Sequence, residues 1–223
     1  MARAKRIDIK DYHYHVLNRA NRRMQIFNDD GDYQIFELIL SEAKEKFDMR
    51  IVAYCIMPNH FHLILHPKED GDIQKFMQWL TLTHTQRLHA KNKTIGHGHI
   101  YQGRYKSFIV DDDDYLKTLL LYVEQNPLRA GLVKNLRNWK WGSYYVRNYG
   151  NSEKKKMLSI HHYQITQNYN ENINIKFSKE KLQSIGNSIT RSKPYGSASW
   201  TEKIVKKFDL ESAIRGVGRP RKK

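Results

Sequence analysis

Residues Ile56-Met57-Pro58-Asn59-His60-Phe61-His62-Leu63-Ile64-Leu65 decide the architecture. Pro58-Asn59 is a turn signal between two strand-like runs, residues 49–57 and 60–66, and it predicts a hairpin of two antiparallel strands. Side chains alternate faces along a strand, so His60 and His62 share one face while Phe61 points to the other. Two imidazoles are thereby set on one rigid platform, with an apolar ring anchoring it from behind.

Working outward, residues 12–17 read as a first strand, followed by a basic loop with Arg19, Arg22 and Arg23. Residues 32–47 carry Ile35, Phe36, Ile39, Leu40 and Ala43 at helical spacing. Residues 72–91 do the same with Ile73, Phe76, Met77, Leu80, His84 and Leu88. Residues 100–110 are strand-like but interrupted at Gln102-Gly103-Arg104. Asp111-Asp112-Asp113-Asp114 follows, where acidic residues complement a helix N-terminus and one can cap it. Four adjacent carboxylates on one turn do not converge on an ion, so a capping role is expected. A helix is then predicted over 115–126. The order strand, helix, strand, strand, helix, strand, helix predicts an α+β fold with helices packed on an antiparallel sheet. Residues 1–150 are expected to form one core-bearing domain. Residues 151–223 read as a polar, basic extension: a linker, a weakly packed appendage and one short helix over 199–214.

Lys and Arg total 39 against 23 Asp and Glu, a net charge of +16. That balance, with aromatics interleaved, suits a phosphate backbone as partner. Cys55 is the sole cysteine, so an internal disulfide is excluded and the thiol is expected to be buried and inert. No run approaches a membrane span, and the basic N-terminus lacks a signal-peptide core. A cytoplasmic protein without membrane association is expected.

The His-x-His spacing is not unique, because His13-Tyr14-His15 repeats it. His97-Gly98-His99 lacks the bulky centre, and His161-His162 would face opposite sides of a strand. Tyr122 and Asn126 add weight: residues four apart lie on one helix face. Pro127 disfavours helix at Asn126, which leaves Gln125 as an alternative third ligand. Two neutral imidazoles can bind Mg²⁺ or Mn²⁺, but imidazole is softer than Mg²⁺ prefers, so a third ligand bearing oxygen is expected beside the two histidines.

In order, Tyr14-His15-Val16-Leu17-Asn18-Arg19, Ala53 through Leu63, Tyr101-Gln102-Gly103-Arg104-Tyr105-Lys106, Tyr122 through Val133 and Trp141-Gly142-Ser143-Tyr144 make up a run of motifs over roughly two thirds of the chain. With them the stretch 12–149 resembles the single-tyrosine HUH transposases, and most closely the REP-associated tyrosine transposases. The resemblance implies a ferredoxin-like catalytic fold. It implies His60 and His62 as ligands of Mg²⁺ or Mn²⁺, Asn126 as the third ligand and Tyr122 as nucleophile, with Tyr115 the decoy. The implied reaction cleaves single-stranded DNA beside a hairpin through a 5′-phosphotyrosine, by a monomer or homodimer.

Arg19, Arg22, Arg23, Arg104, Lys106 and Arg129 are expected DNA contacts, and Tyr101 and Tyr105 suit base stacking. Gly218-Arg219-Pro220-Arg221 resembles an AT-hook core, with Arg219 and Arg221 as minor-groove contacts. The alternative function is a domesticated protein that grips hairpin DNA or RNA without cutting it. A replication initiator of the wider HUH class would need partner domains that are not visible in the sequence.

Overall fold

The computed structural model describes residues 6–112, 114–161, 169–170 and 173–214. Its elements are β1 (His13–Arg19), α1 (Asp30–Phe47), β2 (Arg50–Met57), β3 (His60–His66), α2 (Asp72–Asn92), β4 (Lys106–Val110), α3 (Asp114–Glu124), α4 (Asn126–Arg129), α5 (Ser143–Tyr149), α6 (Ser152–Lys156), α7 (Lys179–Arg191), α8 (Ala198–Phe208) and α9 (Glu211–Ile214). The strands form one antiparallel sheet in the order β2-β3-β1-β4, the ferredoxin-like arrangement expected. Pro58 and Asn59 are the two turn residues between the paired Met57 and His60.

Alternation along the strands sorts the core into two halves. Tyr14, Val16, Tyr54, Ile56, Phe61, Leu63 and Leu65 face α1 and α2. Those helices bring Phe36, Ile39, Leu40, Phe76, Met77 and Leu80, the residues marked by helical spacing. The side chain of Asp29 caps α1 by accepting from the Asp32 N–H. On the other face Cys55, Met57, Ile64, Phe108 and Val110 meet Leu116, Leu119, Leu120 and Val123 of α3. Cys55 is buried, as expected, and burial pushes its thiol well above the ordinary range.

Each sheet edge carries a short bridge from another segment. Beside β2, Gly142 bridges Cys55 and the Ile56 N–H donates to the Trp141 carbonyl at 2.9 Å. Beside β4, Tyr195 bridges Val110, its N–H donating to Ile109 at 2.9 Å and its carbonyl accepting from Asp111 at 2.8 Å. Such bridges reduce the number of unpaired backbone groups that invite edge-to-edge association.

The 100–110 run yields regular strand only over β4, because Gln102 to Arg104 turns away and Tyr101 keeps a single bridge to Ala20. The predicted 115–126 helix breaks after Glu124, with Pro127 at the start of α4. The acidic run disperses as expected: Asp112 pairs with His13, Asp111 accepts from the Ser197 N–H, and Asp114 opens α3. Asp113, the position where a cap would sit, lies outside the described residues. Beyond residue 150 the chain is better packed than its polar composition suggests. Tyr169, Ile173, Ile185 and Tyr195 join the α3 side of the core, and Ile204, Val205, Leu210 and Ala213 join the other. The 199–214 segment is two helices, α8 and α9, and α7 precedes them. The AT-hook-like residues Arg219 and Arg221 lie outside the described residues. No helix among the described residues is long and apolar enough to cross a membrane.

Candidate active site

Register fixes the imidazoles. Arg19 on β1 and Met57 on β2 flank His60, while Leu17 and Cys55 flank His62. Both histidines face α3, and Phe61 points into the opposite core, as alternation requires. His60, His62, Tyr122, Asn126 and Arg129 line one cavity of about 420 Å³. The Tyr122 and His62 rings lie 6.2 Å apart at 90°. Tyr122 and Asn126 keep their common face across the helix break because backbone bonds carry on through it: Gln125 N–H donates to Leu121 and Arg129 N–H to Gln125.

Gln125, the alternative third ligand, does not line that cavity. Its amide nitrogen donates to the carbonyls of Ile173 at 2.7 Å and Ile175 at 3.0 Å, so its side chain serves the C-terminal segment. Tyr115 packs edge-on to Tyr195, and Tyr14 donates to Ile9; neither lines the cavity.

The free faces of the imidazoles suit a cation. The Asn59 carboxamide oxygen lies 2.6 Å from His60 Nδ1, which must donate to it, leaving Nε2 with a lone pair. His62 Nδ1 lies 2.8 Å from His15 Nε2, with the two rings nearly parallel, edge to edge, and their centroids 5.0 Å apart. His15 sits diagonally from His62 on adjacent strands, a distance long side chains span. Burial lowers the His60 pKa to about 4, helped by Arg19. Burial also lowers that of His62 well below the ordinary imidazole value, with His15, His60, Arg129 and Arg19 acting in the same sense. Both rings are therefore neutral at pH 7, the form that ligates a metal.

Arg129 lies over the Tyr122 ring at 3.9 Å, and Phe177 packs beyond. Its two terminal nitrogens are buried without a hydrogen-bond partner among the described residues, as is Nε of Arg19. Unpaired guanidinium nitrogens facing a cavity are suited to phosphate oxygens. Arg19, Arg104 and Lys106 line an adjoining cavity. Arg22 and Arg23 are exposed, held in left-handed backbone at φ 52° and 59°, and line neither cavity.

Three features escaped the sequence reading. His15, set aside there as part of a repeated pattern, is hydrogen-bonded to His62. Glu124 is buried at the end of α3, accepting from Ser143 at 2.6 Å, from Arg147 at 2.8 Å and from Tyr169 at 2.8 Å. The Gly186, Ile189 and Thr190 positions of α7 form part of the cavity wall. A second group near the far end of β1, His13, Asp112 and His161, also has ligand atoms close enough to share an ion. His13 Nδ1 and Asp112 Oδ1 are 3.1 Å apart.

A family model described as "Transposase IS200 like" matches residues 8–126. A Haemophilus influenzae protein assigned as a REP-associated tyrosine transposase is 25% identical over 118 residues, which is 49% of this chain and 67% of that protein. The REP-associated tyrosine transposase of Escherichia coli is 23% identical over 133 residues, 59% of this chain and 75% of that protein. The structure of a REP-associated tyrosine transposase bound to a REP hairpin superposes with a TM-score of 0.56 at 22% identity, covering 65% of this chain and 84% of that one. That likeness supports the fold.

Proposed function

Since the chain belongs to the IS200-like transposase family, we propose that it is a metal-dependent single-strand DNA endonuclease and strand transferase with Tyr122 as nucleophile. The observation that carries this reading is the convergence of His60, His62, Tyr122, Asn126 and Arg129 on one cavity. Binding alone would need no such set.

His60 and His62, through their Nε2 atoms, and the Asn126 carboxamide oxygen would hold Mg²⁺ or Mn²⁺. When bound, the ion supplies charge neutralisation at the phosphate during an in-line displacement. Arg129 and Arg19 hold the phosphate oxygens. The Tyr122 oxygen attacks phosphorus, the bond to the 3′ oxygen breaks, and the products are a 5′-phosphotyrosine and a free 3′-OH. The phenol proton leaves and the departing oxygen gains one, so the step is balanced. Attack on the phosphotyrosine by another 3′-OH rejoins strands without external energy. The substrate is single-stranded DNA carrying a hairpin, the ligand class of the structurally similar protein.

Purified protein incubated with labelled hairpin oligonucleotides and Mn²⁺ should give a covalent adduct on a denaturing gel. Chelator and Tyr122→Phe should each abolish it while Tyr122→Phe retains binding. Adduct formation by Tyr122→Phe, or tight binding with no adduct from the unaltered protein across hairpins from its own locus, would sink the proposal.

A further inference from the structure

Three residues from separate motifs meet at the far end of the sheet face that carries the catalytic histidines. His13 opens β1, Asp112 belongs to the acidic run between β4 and α3, and His161 follows α6. Their ligand atoms all lie within 4.8 Å of one another. Alternation puts His13 on the same face as His15, and so on the same face as His62. Arg19 pairs with His60, and His13 lies six residues back along β1, about 20 Å at the rise of a strand. None of the three lines the cavity that holds Tyr122.

Each residue is brought there by its own backbone bonds. His13 pairs with Val110 in the β1–β4 ladder. Asp112 follows Asp111, whose N–H donates to the Tyr195 carbonyl at 2.8 Å and whose carboxylate accepts from the Ser197 N–H. His161 lies two residues beyond Ser159, whose N–H donates to the Ile51 carbonyl of β2 at 2.8 Å. A ligand set held by rigid elements is ordered before an ion arrives.

The contacts within the group suit a cation. His13 Nδ1 and Asp112 Oδ1 are 3.1 Å apart, and the His161 ring stands edge-on to His13 with centroids 5.3 Å apart. Burial keeps the His13 ring neutral at pH 7, so one nitrogen carries a proton and the other a lone pair. With the proton on Nδ1, the Nε2 lone pair is buried without a donor among the described residues. With the proton on Nε2, a lone pair faces a carboxylate at 3.1 Å, which is repulsive unless a cation lies between them. Two atoms that ligate one tetrahedral ion stand about 3.3 Å apart, close to that spacing. Arg50, whose charge bears on His13, is turned elsewhere: it donates to the carbonyls of His66 and Pro67, each at 3.1 Å. Two imidazoles with one carboxylate are a zinc ligand set, and imidazole nitrogen favours zinc over Mg²⁺ or Ca²⁺.

We propose that His13, Asp112 and His161 bind Zn²⁺, which clamps the start of α3 and the segment around His161 to the first strand. Water takes the fourth coordination position. α3 begins two residues beyond Asp112 and carries Tyr122 near its other end, so the clamp steadies the helix that bears the proposed nucleophile. Because the ion joins β1 to a segment beyond residue 150, it also fastens the C-terminal extension to the sheet.

The test uses the full chain with His60 and His62 both replaced by Ala, which removes zinc binding by the catalytic pair. Chelator-stripped protein is dialysed against Zn²⁺ alone, and bound metal is counted by mass spectrometry. One Zn²⁺ per chain is expected. Adding Asp112→Asn or His161→Ala should weaken binding at least tenfold, since loss of even an outer-shell partner has an effect of that size. Asp112 is exposed and His161 half-buried, so both variants are expected to fold, and far-ultraviolet circular dichroism checks it. His97→Ala, which removes an exposed histidine outside the group, should bind as before. Co²⁺ in place of Zn²⁺ should give the visible absorption of a tetrahedral site, lost in the Asp112 and His161 variants. The same two substitutions in the otherwise unaltered chain should each lower its zinc count by one, which keeps the test independent of how the His60/His62 variant folds. Absence of bound zinc in the His60/His62 variant and an unchanged count in the otherwise unaltered chain would overturn the proposal. So would zinc binding that either Asp112→Asn or His161→Ala leaves intact.

Discussion

His15 shows how much one buried side chain can decide. For the His62 Nε2 lone pair to face a metal, His62 Nδ1 must carry the proton and donate to His15 Nε2. His15 Nδ1 is then the protonated nitrogen of its own ring, and it has no partner among the described residues. In that tautomer the pair carries one unsatisfied N–H, at Nδ1 of His15. His15→Ala should weaken Mn²⁺ binding about 10- to 100-fold, the usual toll for an outer-shell partner. Mn²⁺ titration followed by electron paramagnetic resonance reads this without DNA; an unchanged affinity would make His15 a packing residue only. Nothing in the spacing of His13-Tyr14-His15 reveals the role, because it depends on which residue of β3 lies diagonally across the sheet. The His60-Phe61-His62 pattern needed no such information, since alternation within one strand already fixes the shared face.

At the scale of elements, α3 holds its place through its last residue. The Glu124 side chain is fully buried, and the Arg147 side chain opposite is 8% exposed. Ser143 and Tyr169 complete the carboxylate's shell, so α3, α5 and the C-terminal segment meet at one charge. Arg147→Ala strands that charge, and a loss of about 3–5 kcal/mol is expected. Urea unfolding checks it, and a loss below about 1 kcal/mol would show that water reaches the carboxylate. Replacing Glu124 and Arg147 together by Gln and Met should recover part of the stability, because no lone ion remains. Long periodic elements such as α1 and α2 were legible because each buries a regular stripe. The helix break after Glu124 was not, nor that Gln125 turns its amide nitrogen to Ile173 and Ile175 while Asn126 lines the cavity. The C-terminal elements were obscured for a related reason. They dock by scattered anchors, such as Tyr169 and Ile185, in an otherwise polar run, and the composition of that run gives no period to read.

For the whole molecule the buried imidazoles set a shared response to acid. Burial lowers the pKa of His13, His15 and His84 to about 3 and that of His60 to about 4. In the unfolded chain each would titrate near 6.5. Below that value the unfolded state binds protons that the folded state refuses, so stability is complete above about pH 7 and falls as the pH drops through 6 to 4. The urea midpoint should decline between pH 7 and pH 5, before carboxylates titrate. A flat profile across that interval would mean that the rings are hydrated in solution.

The two straps along the sheet, Trp141–Gly142 and Tyr195, bear on how copies of the molecule can associate. A dimer built as one sheet running through both subunits would have to peel back a strap first, sacrificing bonds already made. Self-assembly by that route is therefore gated by a local unzipping. A pairing through helical surfaces meets no such toll, and it leaves each Tyr122 backed by its own intact four-stranded floor.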